Sequence, residues 1–146
     1  MNPKYLVLGF FGLAAVVFVG KQFISTEQNP HSVQATSGEQ GAPLANVIVP
    51  ELSAVAETGK IAFEANCASC HGVNAAGQDG VAPPLVHKIY EPNHHGDASF
   101  LLAVKNGVRA HHWRFGNMPQ IKGVEDEEVA QIVVYVRELQ RANGIQ

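Results

Sequence analysis

A chain of 146 residues has room for one folded domain with some length left over. Its apolar share of 46% is that of an ordinary globular protein, and a net charge of −3 does not suggest a nucleic-acid partner. The only cysteines, Cys67 and Cys70, are too close in sequence to staple distant parts of a fold, which excludes a long-range disulfide framework.

In chain order, residues 1–24 come first as a membrane anchor or signal segment. Residues 5–20 are apolar or Gly throughout. As a helix they reach ~24 Å, short of a ~30 Å hydrocarbon core. If Lys21 snorkels, the segment extends to Ile24 and reaches ~30 Å. Phe18, Gly20, Phe23 and Ser25 supply no small-residue pair for cleavage, and Val33-Gln34-Ala35 lies far downstream. A retained transmembrane helix is therefore expected over a cleaved signal. Lys4 and the terminal amine favour the N-terminus inside and the remainder outside.

Residues 25–52 are rich in Ser, Thr, Gln, Asn, Gly and Pro and read as a flexible linker, with an r.m.s. span of ~28 Å. Residues 53–146 read as the folded unit. Ser53 is a candidate N-cap for a first helix with Ala56, Ile61, Phe63 and Ala65 among its apolar positions. Asp97 is a candidate cap for a second, where Phe100, Leu101 and Val104 share a face and Gly107 ends it. A third begins near Glu125, with Val129, Ile132, Val133, Val136 and Leu139 at helical spacing and Asn143-Gly144 closing it. Its acidic first turn suits the positive end of the helix dipole, although Glu125 stands where Ser or Asp is the usual cap. No long two-residue alternation interrupts these segments, so the fold class is all-α.

Cys67-Ala-Ser-Cys70-His71 is the spacing that attaches c-type haem. Cysteines at i and i+3 lie one helical turn apart and can bond one edge of the macrocycle, with the next residue placed to ligate iron. Two other readings compete. A thioredoxin-like redox pair wants a strand before the motif, whereas the residues before Cys67 look helical. A zinc site would need both thiolates and two of the other histidines.

With its flanks, the motif makes residues 53–146 resemble a class I bacterial cytochrome c, a small fold of helices wrapped around one covalently bound haem. Gly59 and Phe63 stand eight and four positions before Cys67, where that family has Gly and an aromatic. The resemblance implies that they pack against Tyr135, with Ile132 one turn earlier, in the last helix. It also implies Cys67 and Cys70 as the covalent haem attachment, with His71 and Met118 as the axial iron ligands. Met118 lies in Gly116-Asn117-Met118-Pro119, shortly before the last helix. By the same carry-over the Pro83 carbonyl, in Ala82-Pro83-Pro84-Leu85, accepts the His71 Nδ1–H, and Trp113 and Arg114 are candidate donors to the haem propionates.

His94, His95, His111 and His112 are not explained by the haem motif. Adjacent residues on regular structure point apart, so surface or propionate-facing rings are expected over a second copper or zinc site. The function expected is electron transfer by one haem c, shuttling between a quinol-oxidising donor and an oxidase or reductase acceptor. The alternative is a haem subunit fixed in a larger membrane oxidoreductase. A peroxidase-like enzyme would need Met118 to leave the iron, and no small-molecule substrate is expected. From residue 59 onward eight cations face nine acids, so steering by charge is expected to be weak. The resemblance implies haem attachment outside the cytoplasm, with the chain single-pass in the bacterial inner membrane and its haem domain in the periplasm.

Overall fold

The computed structural model describes residues 40–146. The expected anchor, 1–24, and the first part of the expected linker lie outside the described residues. Among the described residues four α-helices follow one another: α1 (Ala54–Asn66), α2 (Ala68–His71), α3 (Asp97–Asn106) and α4 (Asp126–Ala142). Single 3-10 turns occupy Val73–Ala75 and Lys88–Tyr90. Among the described residues there are no strands, only isolated antiparallel bridges between Gln78 and Ala82 and between Val108 and Met118. No helix among the described residues is long and apolar enough to cross a membrane.

Each long helix starts and stops for a local reason. The Ser53 Oγ accepts the Ala56 N–H (3.3 Å), while its own N–H and O–H donate to the Glu138 carboxylate at 3.0 and 2.7 Å. The cap of α1 is thereby tied to α4. In α3 the N-cap is Gly96, and Asp97 is the first helical residue. The expected cap is displaced by one position because the Asp97 carboxylate is taken by Arg137 Nε at 2.8 Å. Glu125 caps α4 through a reciprocal pair: its side chain accepts the Glu128 N–H, and Glu128 accepts the Glu125 N–H at 3.0 Å. The Glu125 carboxylate does the work that Ser or Thr does at the N-cap of the usual capping box, and Glu128 is the usual N3 residue. At the other end Ile145 N–H reaches the Gln140 carbonyl (2.9 Å), folding Ile145 back onto the core.

The core forms where α1 crosses α4. The inner face of α1 is Ala56, Gly59, Ala62 and Phe63, all buried. It meets Ile132, Tyr135, Val136 and Leu139 of α4, with Ala75 and Val86 closing one side. Phe63 and Tyr135 meet with ring centroids 5.6 Å apart and planes tilted by 57°. Side chains of this size contribute roughly 1.5–3 kcal/mol each when fully buried. Two apolar positions expected in α1 are not in this face: Ile61 is 69% exposed, and Ala65 is exposed as well. The contact stripe follows Ala56, Gly59, Ala62 and Phe63, and Ile61 and Ala65 fall on the far side of the helix.

Residues 41–52, read from the sequence as linker, carry fixed bonds to the globule. Gly41 N–H donates to the Asp79 carbonyl (2.9 Å) and Asp79 N–H to the Ala42 carbonyl (2.8 Å). Ile48 exchanges two bonds with the Asn143 amide, at 2.9 and 2.8 Å. Val47 and Leu52 pack against the core. This stretch, in which only Asn46 and Glu51 are polar, lies on the domain as a strap and not as a free chain.

Candidate functional site

The two cysteines and His71 sit on a single tight turn. Cys67 ends α1, its N–H donating to the Phe63 carbonyl at 2.8 Å, and its own carbonyl accepts from Cys70 (3.1 Å) and His71 (2.9 Å). The Ala68 carbonyl already accepts the Gly72 N–H at 2.9 Å, while those of Ser69 and Cys70 would be left over at the end of so short a helix. The Gln78 side-chain amide collects all three, at 3.2, 2.9 and 3.1 Å. Both sulfurs are unbridged. The Cys67 thiol is pushed up to about 11, first by burial and then by Cys70 beside it. Redox Cys-x-x-Cys pairs need the opposite, a depressed thiol pKa at a helix N-terminus.

The loop after the motif brings Pro83 back to His71. A Cβ on Gly77 would lie 2.5 Å from the Pro84 nitrogen, so only a glycine lets the two backbones approach. Gly77 also has φ +74°, the left-handed region. His71 Nδ1 is 2.9 Å from the Pro83 carbonyl oxygen. A carbonyl only accepts, so Nδ1 carries the proton and Nε2 keeps its lone pair. Burial lowers the His71 pKa, with the Pro83 bond opposing it. The ring is thus neutral and directed, the state in which imidazole ligates a metal.

Met118 is held by its backbone. It exchanges two 2.9 Å bonds with Val108, and a Cβ on Gly107 would stand 2.6 Å from the Met118 carbonyl oxygen. The loop between the bridged residues is braced by Ala110 N–H to Asn117 Oδ1 at 2.9 Å. The Met118 side chain is half-buried, and Arg114 is exposed without an ion pair among the described residues.

Trp113 is the one member of the group with an unmet demand. Its indole nitrogen is buried and has no hydrogen-bond partner, the sole such side-chain atom among the described residues. The ring meets His87 edge-on (5.0 Å) and stacks on Phe115 (5.8 Å). Burial raises the Tyr90 pKa, and the Trp113 N–H nearby acts the other way. An unpaired buried N–H costs about 1–3 kcal/mol unless something accepts it. An anionic group such as a carboxylate, brought in with a cofactor, fits that demand.

Several contributors were missed in the sequence. Tyr90, Gln78 and Asn74 stand in irregular segments with no period to mark them. Asn74 has φ +55° and accepts the Tyr135 O–H at 3.3 Å. Arg137 and Gln140 lie on the buried side of α4, where a charge and an amide look like breaks in the apolar stripe. Arg137 donates to the Tyr90 carbonyl (2.6 Å), the His95 carbonyl (2.5 Å) and Gln140 Oε1 (2.6 Å), besides Asp97. Gln140 donates to the Leu85 and Tyr90 carbonyls at 2.9 and 3.1 Å. These bonds fix the segment from Leu85 to His95 that borders Trp113.

Unbridged cysteines one turn apart, a neutral directed histidine and an orphaned indole donor form a set that fits covalent haem. Comparison with known proteins agrees. The family model described as cytochrome c matches residues 56–140, more than half of the chain. A similar protein is the "Cbb3-type cytochrome c oxidase subunit CcoP" of Azospirillum brasilense, 38% identical over 96 residues. That stretch covers 60% of this chain and 29% of the relative, so the chain matches less than a third of the relative's length.

Proposed function

The chain belongs to the cytochrome c family, and from that premise we propose that it carries electrons with one haem c, bonded by Cys67 and Cys70 and ligated by His71 and Met118. The observation that carries this reading is the His71 ring, whose Nδ1–H is fixed by Pro83 and whose Nε2 lone pair is kept free by burial. Haem, when bound, supplies a one-electron iron couple, which a His/Met pair sets higher than a bis-His pair does.

The protein's residues have the task of holding that group still. Gln78 clamps the attachment turn by its carbonyls. Pro83 orients His71 and raises its basicity. The Val108–Met118 bridge fixes where the thioether starts. Trp113, with Tyr90 beside it, supplies N–H and O–H donors to a propionate, and Arg114 adds a cation at the surface. The same arrangement supports a carrier in which both axial positions are occupied, leaving none for a substrate.

The donor and acceptor belong to a respiratory chain, with a quinol-oxidising complex on one side and an oxidase or reductase on the other. Residues 1–24 hold the domain to the bacterial inner membrane, and the domain faces the periplasm. A second reading, a fixed haem subunit of a larger oxidase, is favoured by the likeness to an oxidase subunit. Purification from membranes in mild detergent tests both. A free species that is reduced and reoxidised by separately added complexes supports the shuttle. Stoichiometric co-purification with an oxidase, and no exchange with added complexes, supports the subunit. A haem-loaded chain that neither accepts nor passes electrons in either setting would sink both.

A further inference from the structure

Four imidazoles that the haem site does not use gather between two braced turns. The Glu91 carbonyl accepts from His94 N–H (3.0 Å) and His95 N–H (2.8 Å), closing the first turn. The second is the loop between Val108 and Met118 described above. The reason for expecting adjacent histidines to diverge applies to helices and strands, and His94-His95 sit in a turn. One ring nitrogen each from His94, His95 and His112 lies within 4.8 Å of the others.

One spacing inside this group is that of a ligand pair. His94 Nε2 and His112 Nε2 are 3.3 Å apart. A tetrahedral ion with metal–nitrogen bonds of ~2.0–2.1 Å separates its ligand nitrogens by ~3.3 Å. Without an ion, one of these two nitrogens donates a hydrogen bond to the other; an ion replaces that single proton and takes both lone pairs. His95 is directed as a metal-binding imidazole is: its Nδ1 is 2.6 Å from the Ile89 carbonyl, so Nδ1 holds the proton and Nε2 is the nitrogen left with a lone pair. Its ring centroid is 4.6 Å from that of His94 and 5.2 Å from that of His112. No carboxylate is bonded to any of these rings among the described residues. His111 stands beside His112 (4.2 Å between centroids) but is not one of the three.

We propose that His94, His95 and His112 form a second metal site, separate from the haem ligands, for a borderline divalent cation such as Cu2+ or Zn2+. Three imidazoles leave the fourth position to water or to a partner's ligand. The site joins the turn that follows Tyr90 to the loop that carries Trp113 and Met118, so its ion would cross-link the two segments bordering the haem.

The test uses the tag-free, haem-loaded full chain, freed of metal by a chelator and titrated calorimetrically with Zn2+ and separately with Cu2+. The expected result is one ion per chain with Kd tighter than ~100 µM, Cu2+ binding more tightly than Zn2+, and a Tm raised by roughly 5 °C at saturation. His111→Ala should retain this binding, and the haem absorption bands should not move. The double variant His94→Ala/His112→Ala should weaken binding at least ~100-fold. Both rings are exposed, so the variant folds, which its metal-free melting and unchanged haem spectrum check. Binding weaker than ~100 µM in the wild-type chain, or equal binding in the double variant, would overturn the proposal.

Discussion

A Cβ placed on Gly59 would lie 1.9 Å from the carbonyl oxygen of Gln131, so helices α1 and α4 touch backbone to backbone at this point. The contact sets the crossing that lets Phe63 and Tyr135 meet one turn further on. It also positions the end of α1, and with it the cysteine turn.

Gly59→Ala should therefore separate the two helices, although alanine is the better helix former. The neighbour is backbone and cannot rotate away. The expected cost is roughly 3 kcal/mol, at the upper end for overpacking, against a gain of up to about 1 kcal/mol in helix propensity. A urea denaturation midpoint unchanged from wild type would show that the helices do not meet there.

Arg137 gathers three carbonyl-type acceptors and one carboxylate from a side chain that is 8% exposed. Arg137→Ala should cost about 1–3 kcal/mol, because the His95 carbonyl loses its donor and the Tyr90 carbonyl keeps only the Gln140 amide at 3.1 Å. Arg137→Lys should recover little, since an ammonium cannot span the planar fork. Asp97→Asn should cost less than about 1 kcal/mol, as the Asp97 side chain is 68% exposed. Equal losses for Asp97→Asn and Arg137→Ala would assign the energy to the ion pair instead of the carbonyl fork.

How much of this could be read beforehand follows from where each signal sits. The helices announce themselves because Val129, Ile132, Val133, Val136 and Leu139 recur at helical spacing, and caps such as Ser53 are local. The attachment turn and the Gly59–Phe63 interval are likewise short-range patterns. Arg137 and Gln140 were not legible, since on the buried side of a helix a polar residue has meaning only through acceptors forty or more residues away. The strap at residues 41–52 was hidden for a related reason: its backbone bonds to Asp79 and Asn143 depend on partners, not on its own composition. The histidine group combines both problems, as two unremarkable pairs become one cluster only when the turns close.

Tyr135 gives a pH dependence of definite sign. Its hydroxyl is pushed up from 10.0 to about 12, first by burial and then by Glu64 and Glu57. The native chain holds this proton more tightly than the unfolded chain. Its stabilising contribution is fully present below pH 10 and is lost as pH rises through about 12. Urea midpoints measured across that window should fall for the wild type, and the fall should be smaller in Tyr135→Phe. Identical slopes for the two proteins would remove Tyr135 as the source.

Met118→Ala should leave the loop in place, because the bonds to Val108 are made by backbone atoms. The far-red absorption band of a thioether–iron bond should vanish, and the midpoint potential should drop by more than ~59 mV, a tenfold change for one electron. If the band persists, another side chain supplies the sixth ligand, and the nearby histidines become the first to replace.

Whether Cys67 and Cys70 hold haem covalently is read from the mass of the natively purified chain under denaturing conditions. The mass should exceed that of the polypeptide by one haem per chain, and the increase should survive unfolding and map to the peptide containing Cys67, Cys70 and His71. A chain carrying no added mass, with both thiols free to alkylate, would contradict covalent attachment.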